Sequence, residues 1–199
     1  MAWRVVTSLG LAALLLGFAY ANFQRWRHTG EPVGIGITLM ETLAAVLFIV
    51  RRPPRETSTQ PIAWLAAGVA TCVTLFARPI AHPDAGPAAI WEILQIVGLV
   101  IAVSGLGVLG RSFGLVAANR GIKTRGMYRF VRHPMYLGSI ITFVGYAAEN
   151  PSPVNIALLV IAVVSQLIRI GEEERTLQQD KGYREYMAAV RYRLIPGLY

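Results

Sequence analysis

The sequence has one cysteine, Cys72, and it lies inside an apolar run, which excludes a disulfide framework and a cysteine-based metal site. Charge is scarce too. Only 15% of the 199 residues are charged, against 54% hydrophobic, whereas soluble domains carry about 25% charged residues. Lysine is nearly missing: all but two of the 19 basic residues are arginine, a bias that points to a GC-rich bacterial genome. There is no internal repeat, no low-complexity segment and no polar stretch long enough to form a soluble domain. What is present is a series of long uncharged apolar runs, separated by short segments that hold nearly all the arginine and proline. This is the pattern of a polytopic membrane protein. The net charge of +8 sits in the segments flanking those runs, which argues for membrane topology and against nucleic-acid binding.

A spanning helix needs about 17–25 residues. Val5 to Phe23 is the first such run; Ala19-Tyr20-Ala21 behind Arg4 resembles a signal-peptide cleavage site, but the stretch is read as a span. Val33 to Val50 is the second and Ile62 to Ala77 a shorter third, with the basic, helix-breaking Arg51-Arg52-Pro53-Pro54-Arg55-Glu56 between them. Ala88 to Gly110 is the fourth. After the basic loop 111–132 comes Met135 to Ala148, short for a span, then a turn at Asn150-Pro151-Ser152-Pro153. The last apolar run, Val154 to Ile170, continues without a breaker to about Asp180. A helix of that length reaches about 40 Å and would leave the roughly 30 Å hydrocarbon core. The expectation is an all-α, polytopic integral membrane protein with about five transmembrane helices. Residues 1–110 supply four spans, and residues 111–199 a catalytic region with a basic loop, a C-terminal helical hairpin and a cytoplasmic cap.

With the N-terminus inside, sixteen of the 19 basic residues fall on the inner side, leaving Arg25, Arg27 and Arg78 outside. The basic loop and the polar C-terminal segment then both face the cytoplasm. The membrane expected is a bacterial inner membrane, or the endoplasmic reticulum in a eukaryote.

Two stretches can carry chemistry. In Gly126 to Gly138, a basic loop runs into an apolar helix through His133-Pro134, with proline at the first helical position, where its missing N–H costs nothing. The free N–H groups and positive dipole end of that helix lie beside Arg132 and His133 and suit an anionic group. The second stretch is Arg169-Ile170-Gly171-Glu172-Glu173-Glu174. Arg169 and Glu173 share a helix face, and three adjacent acids near a helix C-terminus oppose the dipole, a cost that a cationic or polyhydroxylated ligand would offset.

Gly126-x-Tyr128, Arg132-His133-Pro134-x-Tyr136-x-Gly138, Arg169 with Glu173-Glu174 and Leu177, then Tyr183, Tyr186 and Leu194-Ile195-Pro196 together resemble the isoprenylcysteine carboxyl methyltransferases and their relatives, the phospholipid N-methyltransferases. The resemblance runs from about Gly105 to Pro196. It implies an integral-membrane, S-adenosylmethionine-dependent methyltransferase without the soluble Rossmann fold. Carried over by position, cofactor contacts fall on Arg120, Gly121, Ile122, Lys123, Tyr128, Arg132, His133, Pro134, Met135, Tyr136, Glu173 and Glu174. Glu173 would bind ribose hydroxyls or balance the sulfonium, and Arg132 and His133 would hold the cofactor's carboxylate. Arg169 would face a lipophilic methyl acceptor. Arg120 and Lys123 depart from the more neutral residues of the carboxyl methyltransferases, and the segment from Leu177 to Tyr186 is about two residues shorter.

Methyl transfer from a sulfonium neutralises charge, so the protein has mainly to hold donor and acceptor at near-attack distance and exclude water. The acceptor is left open between carboxylate, amine and thiol. The roles of the intramembrane acids Glu41 and Glu92 are left open; a place in the acceptor pocket is the lesser reading, for Glu41 ahead of Glu92. Gly105-Leu106-Gly107 is read as close helix packing before cofactor contact. His28 and His82 have no second ligand at metal spacing, so no metal is expected. The partners expected are the acceptor and the bilayer, with the oligomeric state open. Two other readings stand beside this one: a sterol-type membrane reductase using NADPH, and a non-catalytic lipid-binding protein.

Overall fold

The computed structural model describes residues 2–54, 56–77 and 88–198; Arg55, Arg78 and His82 lie outside them. The described residues form seven α-helices: α1 (Ala2–Thr29), α2 (Pro32–Val50), α3 (Pro61–Cys72), α4 (Ala88–Leu109), α5 (Pro134–Glu149), α6 (Pro153–Leu177) and α7 (Lys181–Ala189). Among the described residues, three helices are long and apolar enough to cross a membrane: Pro32–Val50, Ala89–Ser112 and Pro153–Leu177. Their outer faces keep apolar side chains exposed at helical spacing, Ile93, Val97 and Val100 on α4 and Ile156, Val160 and Val164 on α6, as helices bathed in lipid do.

Punctuation in the sequence sets the boundaries. Gly30 takes φ 72° to end α1, its N–H returning to the Trp26 carbonyl, and Pro32 opens α2. Pro61, Pro134 and Pro153 likewise stand at helix starts. Ser152 caps α6 by accepting the Asn155 N–H at 3.1 Å. The continuation of α6 to about Asp180 is not observed. It stops at Leu177 because Asp180 caps a separate helix, α7, through the Gly182 N–H at 2.9 Å.

The main helix pairs are α4 with α5, α1 with α2 and α3 with α6. The α4–α5 pair crosses the boundary expected at residue 110. Its seam is made of small residues, Gly98, Ala102 and Gly105 on α4 against Gly138, Thr142 and Gly145 on α5. A side chain at Gly138 would overlap the Ala102 backbone, and one at Gly105 would meet the Met135 backbone at 2.9 Å. Gly107 faces open space, so packing explains Gly105 alone of the Gly-x-Gly pair. Helices α5 and α6, expected as a hairpin, touch much less than α4 and α5 do. A two-residue antiparallel ladder, β1 (Glu56–Thr57) on β2 (Ala118–Asn119), ties the loop after α2 to the basic loop after α4.

Candidate functional site

The start of α5 is a crossing point of three segments. His133 is the N-cap and Pro134 the first helical residue, as expected. The Arg132 and His133 backbone N–H groups donate to the Tyr192 and Arg193 carbonyls, both at 2.9 Å, so the C-terminal segment lies alongside this loop. The Arg132 side chain donates from Nε to Glu174 Oε1 at 2.7 Å and from Nη1 to the Val190 and Arg191 carbonyls. His133 Nε2 lies 3.1 Å from the same Glu174 oxygen, and Arg193 Nε donates to Oε2 at 2.8 Å. Glu174, only 1% exposed, therefore joins the end of α6 to the start of α5 and to the C-terminal segment. Each such contact is charge-assisted and hence strong.

Glu173, the next residue, turns the other way. Tyr136 donates its hydroxyl to Glu173 Oε2 at 2.7 Å, and among the described residues no other side chain bonds to this carboxylate. The Tyr136 ring stacks on His133 on one side and carries the Arg169 guanidinium 4.9 Å from its centroid. Arg169 is fixed by Gln166 Oε1 at 3.2 Å and by the Leu115 carbonyl at 3.0 Å.

Three further tyrosines close this side. Tyr128, Tyr183 and Tyr186 form a buried cluster with Ile122 and Leu177 packed against it, and Tyr186 donates to the Tyr128 carbonyl at 2.8 Å. Burial, and then the negative charge of Glu173, pushes the Tyr128 phenol well above its ordinary range; the same causes, with Glu174 added, raise Tyr183. Both stay neutral. The Tyr183 hydroxyl is buried with no hydrogen-bond partner among the described residues. A buried orphan of this kind costs about 1–3 kcal/mol until something satisfies it.

The 119–123 segment is held against this cluster. Asn119 bridges it to α7, donating to Asp180 Oδ2 at 2.9 Å and accepting the Gly121 N–H at 3.1 Å. Gly121 takes φ 101°, a conformation that side chains disfavour. Arg120 lies over Gly114, while the Arg120 carbonyl accepts from Ser112 Oγ at 3.0 Å. The fold thus brings Ile122, Tyr128, Tyr136, Glu173 and Tyr183 to one place, with Arg132, His133 and Glu174 directly behind. Arg193, Asn119 and Asp180 were not expected there. Of these only Asp180, as an Asp ahead of a short amphipathic stretch, left a readable capping signal.

On the other side of Tyr136 and Arg169 lies a cavity of about 510 Å³ among α1 to α6. Its wall is mostly apolar, including Leu106, Phe113, Met135, Phe143 and Ala162. It follows α6 from Arg169 to Leu159, about 15 Å at 1.5 Å per residue. Glu41, whose role the sequence left open, lines it; Glu92 does not. Among the described residues no group of His, Cys, Asp or Glu could hold a metal ion.

A match to a known family falls on the part of the chain that holds most of this site. Residues 88–184 match the family described as phospholipid methyltransferase. The chain is also 37% identical over 106 residues to Protein-S-isoprenylcysteine O-methyltransferase A of Arabidopsis thaliana, covering 49% of this chain and 54% of that protein. It therefore spans about half the length of the curated relative it matches. The resemblance drawn from the two motifs holds over the segment that contains them.

Proposed function

Because residues 88–184 carry the phospholipid methyltransferase pattern, we propose that this chain is an integral-membrane methyltransferase that transfers a methyl group from S-adenosylmethionine to a lipophilic acceptor. The observation that carries the proposal is the position of Tyr136 and Arg169. They stand between Glu173, which accepts the Tyr136 hydroxyl, and the apolar cavity whose wall both residues join.

The residues present suit that cofactor. When bound, it supplies a methyl group on a sulfonium cation. Among the described residues nothing bonds to the second carboxylate oxygen of Glu173, which is left for ribose hydroxyls or for the cation. Tyr128 and Tyr183 are neutral tyrosines near it, and the buried Tyr183 hydroxyl has its hydrogen bond still to make among the described residues. Ile122 packs on the same tyrosines, next to Gly121 and Lys123. Arg132, His133 and Glu174 position these groups, because their polar atoms are largely spent on one another and on the C-terminal segment. Arg169 orients the acceptor's reactive group from the cavity side, where a fork-shaped donor suits a carboxylate. Packing around Tyr136 keeps water from the junction. Holding two reactants in line there is most of what this reaction asks of a protein.

In this reading, α1 and a short α5 complete a bundle of about five spans. The basic loop and the α6 end face the cytoplasm, and the acceptor enters laterally from the bilayer. The family pattern gives no support to a reductase or a non-catalytic lipid binder. The test is transfer of labelled methyl from S-adenosylmethionine to an isoprenylcysteine-type acid, a lipid amine and a long-chain thiol in mixed micelles. Label reaching one of them, and lost in Glu173→Gln, supports the proposal; no transfer to any of them contradicts it.

A further inference from the structure

The cavity wall is mostly apolar, with Tyr136, Ser139 and Gln166 beside Arg169 and a second polar group, Asn22, Arg25, Glu41, Thr71, Gln95 and Tyr146, away from it. Phe48 marks the Arg169 end, edge-on to Phe113 at 5.1 Å between ring centres. Glu41 lies seven residues back along α2, about 10 Å further into the cavity. A carboxylate within a spanning helix is costly, and it persists where something pairs with it.

The hydrogen bonds around Glu41 are lopsided. Asn22 donates to Glu41 Oε2 at 3.1 Å and to the Phe18 carbonyl at 3.1 Å, which uses its amide donor. Among the described residues this is the only hydrogen bond to Glu41, leaving Oε1 and the Asn22 carbonyl oxygen as acceptors. The nearby donors are engaged elsewhere: Gln95 with Glu149 at 2.7 Å, Thr71 with the Ala67 carbonyl at 2.8 Å, and Arg25 with Glu31 at 3.1 Å. This end of the cavity therefore holds acceptors, Glu41 Oε1 and the Asn22 carbonyl oxygen, to which no group among the described residues donates. An apolar tail reaching it would leave them desolvated and unpaired, at a cost that a donor-ended tail avoids.

We infer that Glu41 is a specificity residue for the acceptor: the molecule it selects is an amphiphile with two polar ends, one at Arg169 and the other a hydroxyl or amine that donates to Glu41. This rests on the proposed function, because it takes the cavity to be the acceptor site. It adds a requirement that a hydrophobic tunnel alone would not impose.

The test measures binding of two amphiphiles to the detergent-purified full chain, separately from methyl transfer. Both carry the same carboxylate head and chain length, and they end in a methyl or in a primary hydroxyl. Wild type should bind the hydroxyl-ended chain about tenfold more tightly. Glu41→Leu should reverse the order, and Glu41→Gln, which keeps the shape and one acceptor, should narrow it. Equal binding to wild type overturns the inference, as does a preference that survives in either variant unchanged. If Glu41→Leu does not fold, the wild-type and Glu41→Gln comparison decides. Label transfer from S-adenosylmethionine is scored on the same samples. Transfer without the preference counts against Glu41 alone, whereas the preference without transfer counts against the methyltransferase reading alone.

Discussion

Arg132 and Glu174 meet at 2.7 Å, 6% and 1% exposed, and their contact joins the two motifs that lie about forty residues apart in the sequence. Neither charge has bulk water to fall back on. Removing one leaves the other buried, which typically costs about 3–5 kcal/mol. Glu174→Gln should therefore lower the unfolding midpoint sharply, measured by thermal melting in detergent. A shift within about 0.5 kcal/mol would show that the pair does not hold the C-terminal segment.

Tyr183 makes the opposite prediction for the ligand-free protein. Its buried hydroxyl has no partner, so Tyr183→Phe removes an unsatisfied group and should leave stability equal or raised. The same variant should gain less stability from added S-adenosylmethionine than wild type does. Equal gains would place the hydroxyl outside the cofactor pocket.

Much of this site was legible in the sequence, and for physical reasons. Proline at a helix start and Arg169 and Glu173 four residues apart are local statements, and the helices at Pro134 and Pro153 follow them. The division of labour between Glu173 and Glu174 was not legible. Adjacent helix residues point about 100° apart, and which of them meets Arg132 depends on how α6 is rotated against α5. The Arg193 contact and the Asn119–Asp180 bridge join segments 19 and 61 residues apart, and no periodicity announces such pairings. The ladder between Glu56 and Asn119 escaped for the same reason.

The α4–α5 seam predicts a contrast between glycines. Gly138→Leu places atoms where the Ala102 backbone stands and should cost more than the usual 1–3 kcal/mol of overpacking, about enough to prevent folding. Gly107→Ala meets nothing within 4 Å and should be neutral or stabilising. Melting curves of the two variants check this; equal effects would argue against close packing at Gly138.

The cavity predicts a separation of donor from acceptor. Ala162 is buried in its wall, so Ala162→Phe should fill part of it. The expected result is an acceptor KM raised about tenfold or more, with S-adenosylmethionine affinity unchanged. A parallel loss of cofactor affinity would mean that the two compartments are not distinct.

The central claim is that the pocket around Glu173 binds S-adenosylmethionine, and the most direct measurement is a titration of the purified protein with it, followed by thermal stability. A ligand that binds only the folded state at a hundredfold excess over Kd adds about 2.7 kcal/mol. The account predicts such a gain in wild type, a loss of most of it in Glu173→Gln and in Tyr136→Phe, and none with NADPH. A gain that both variants keep, or a gain with NADPH alone, would contradict it.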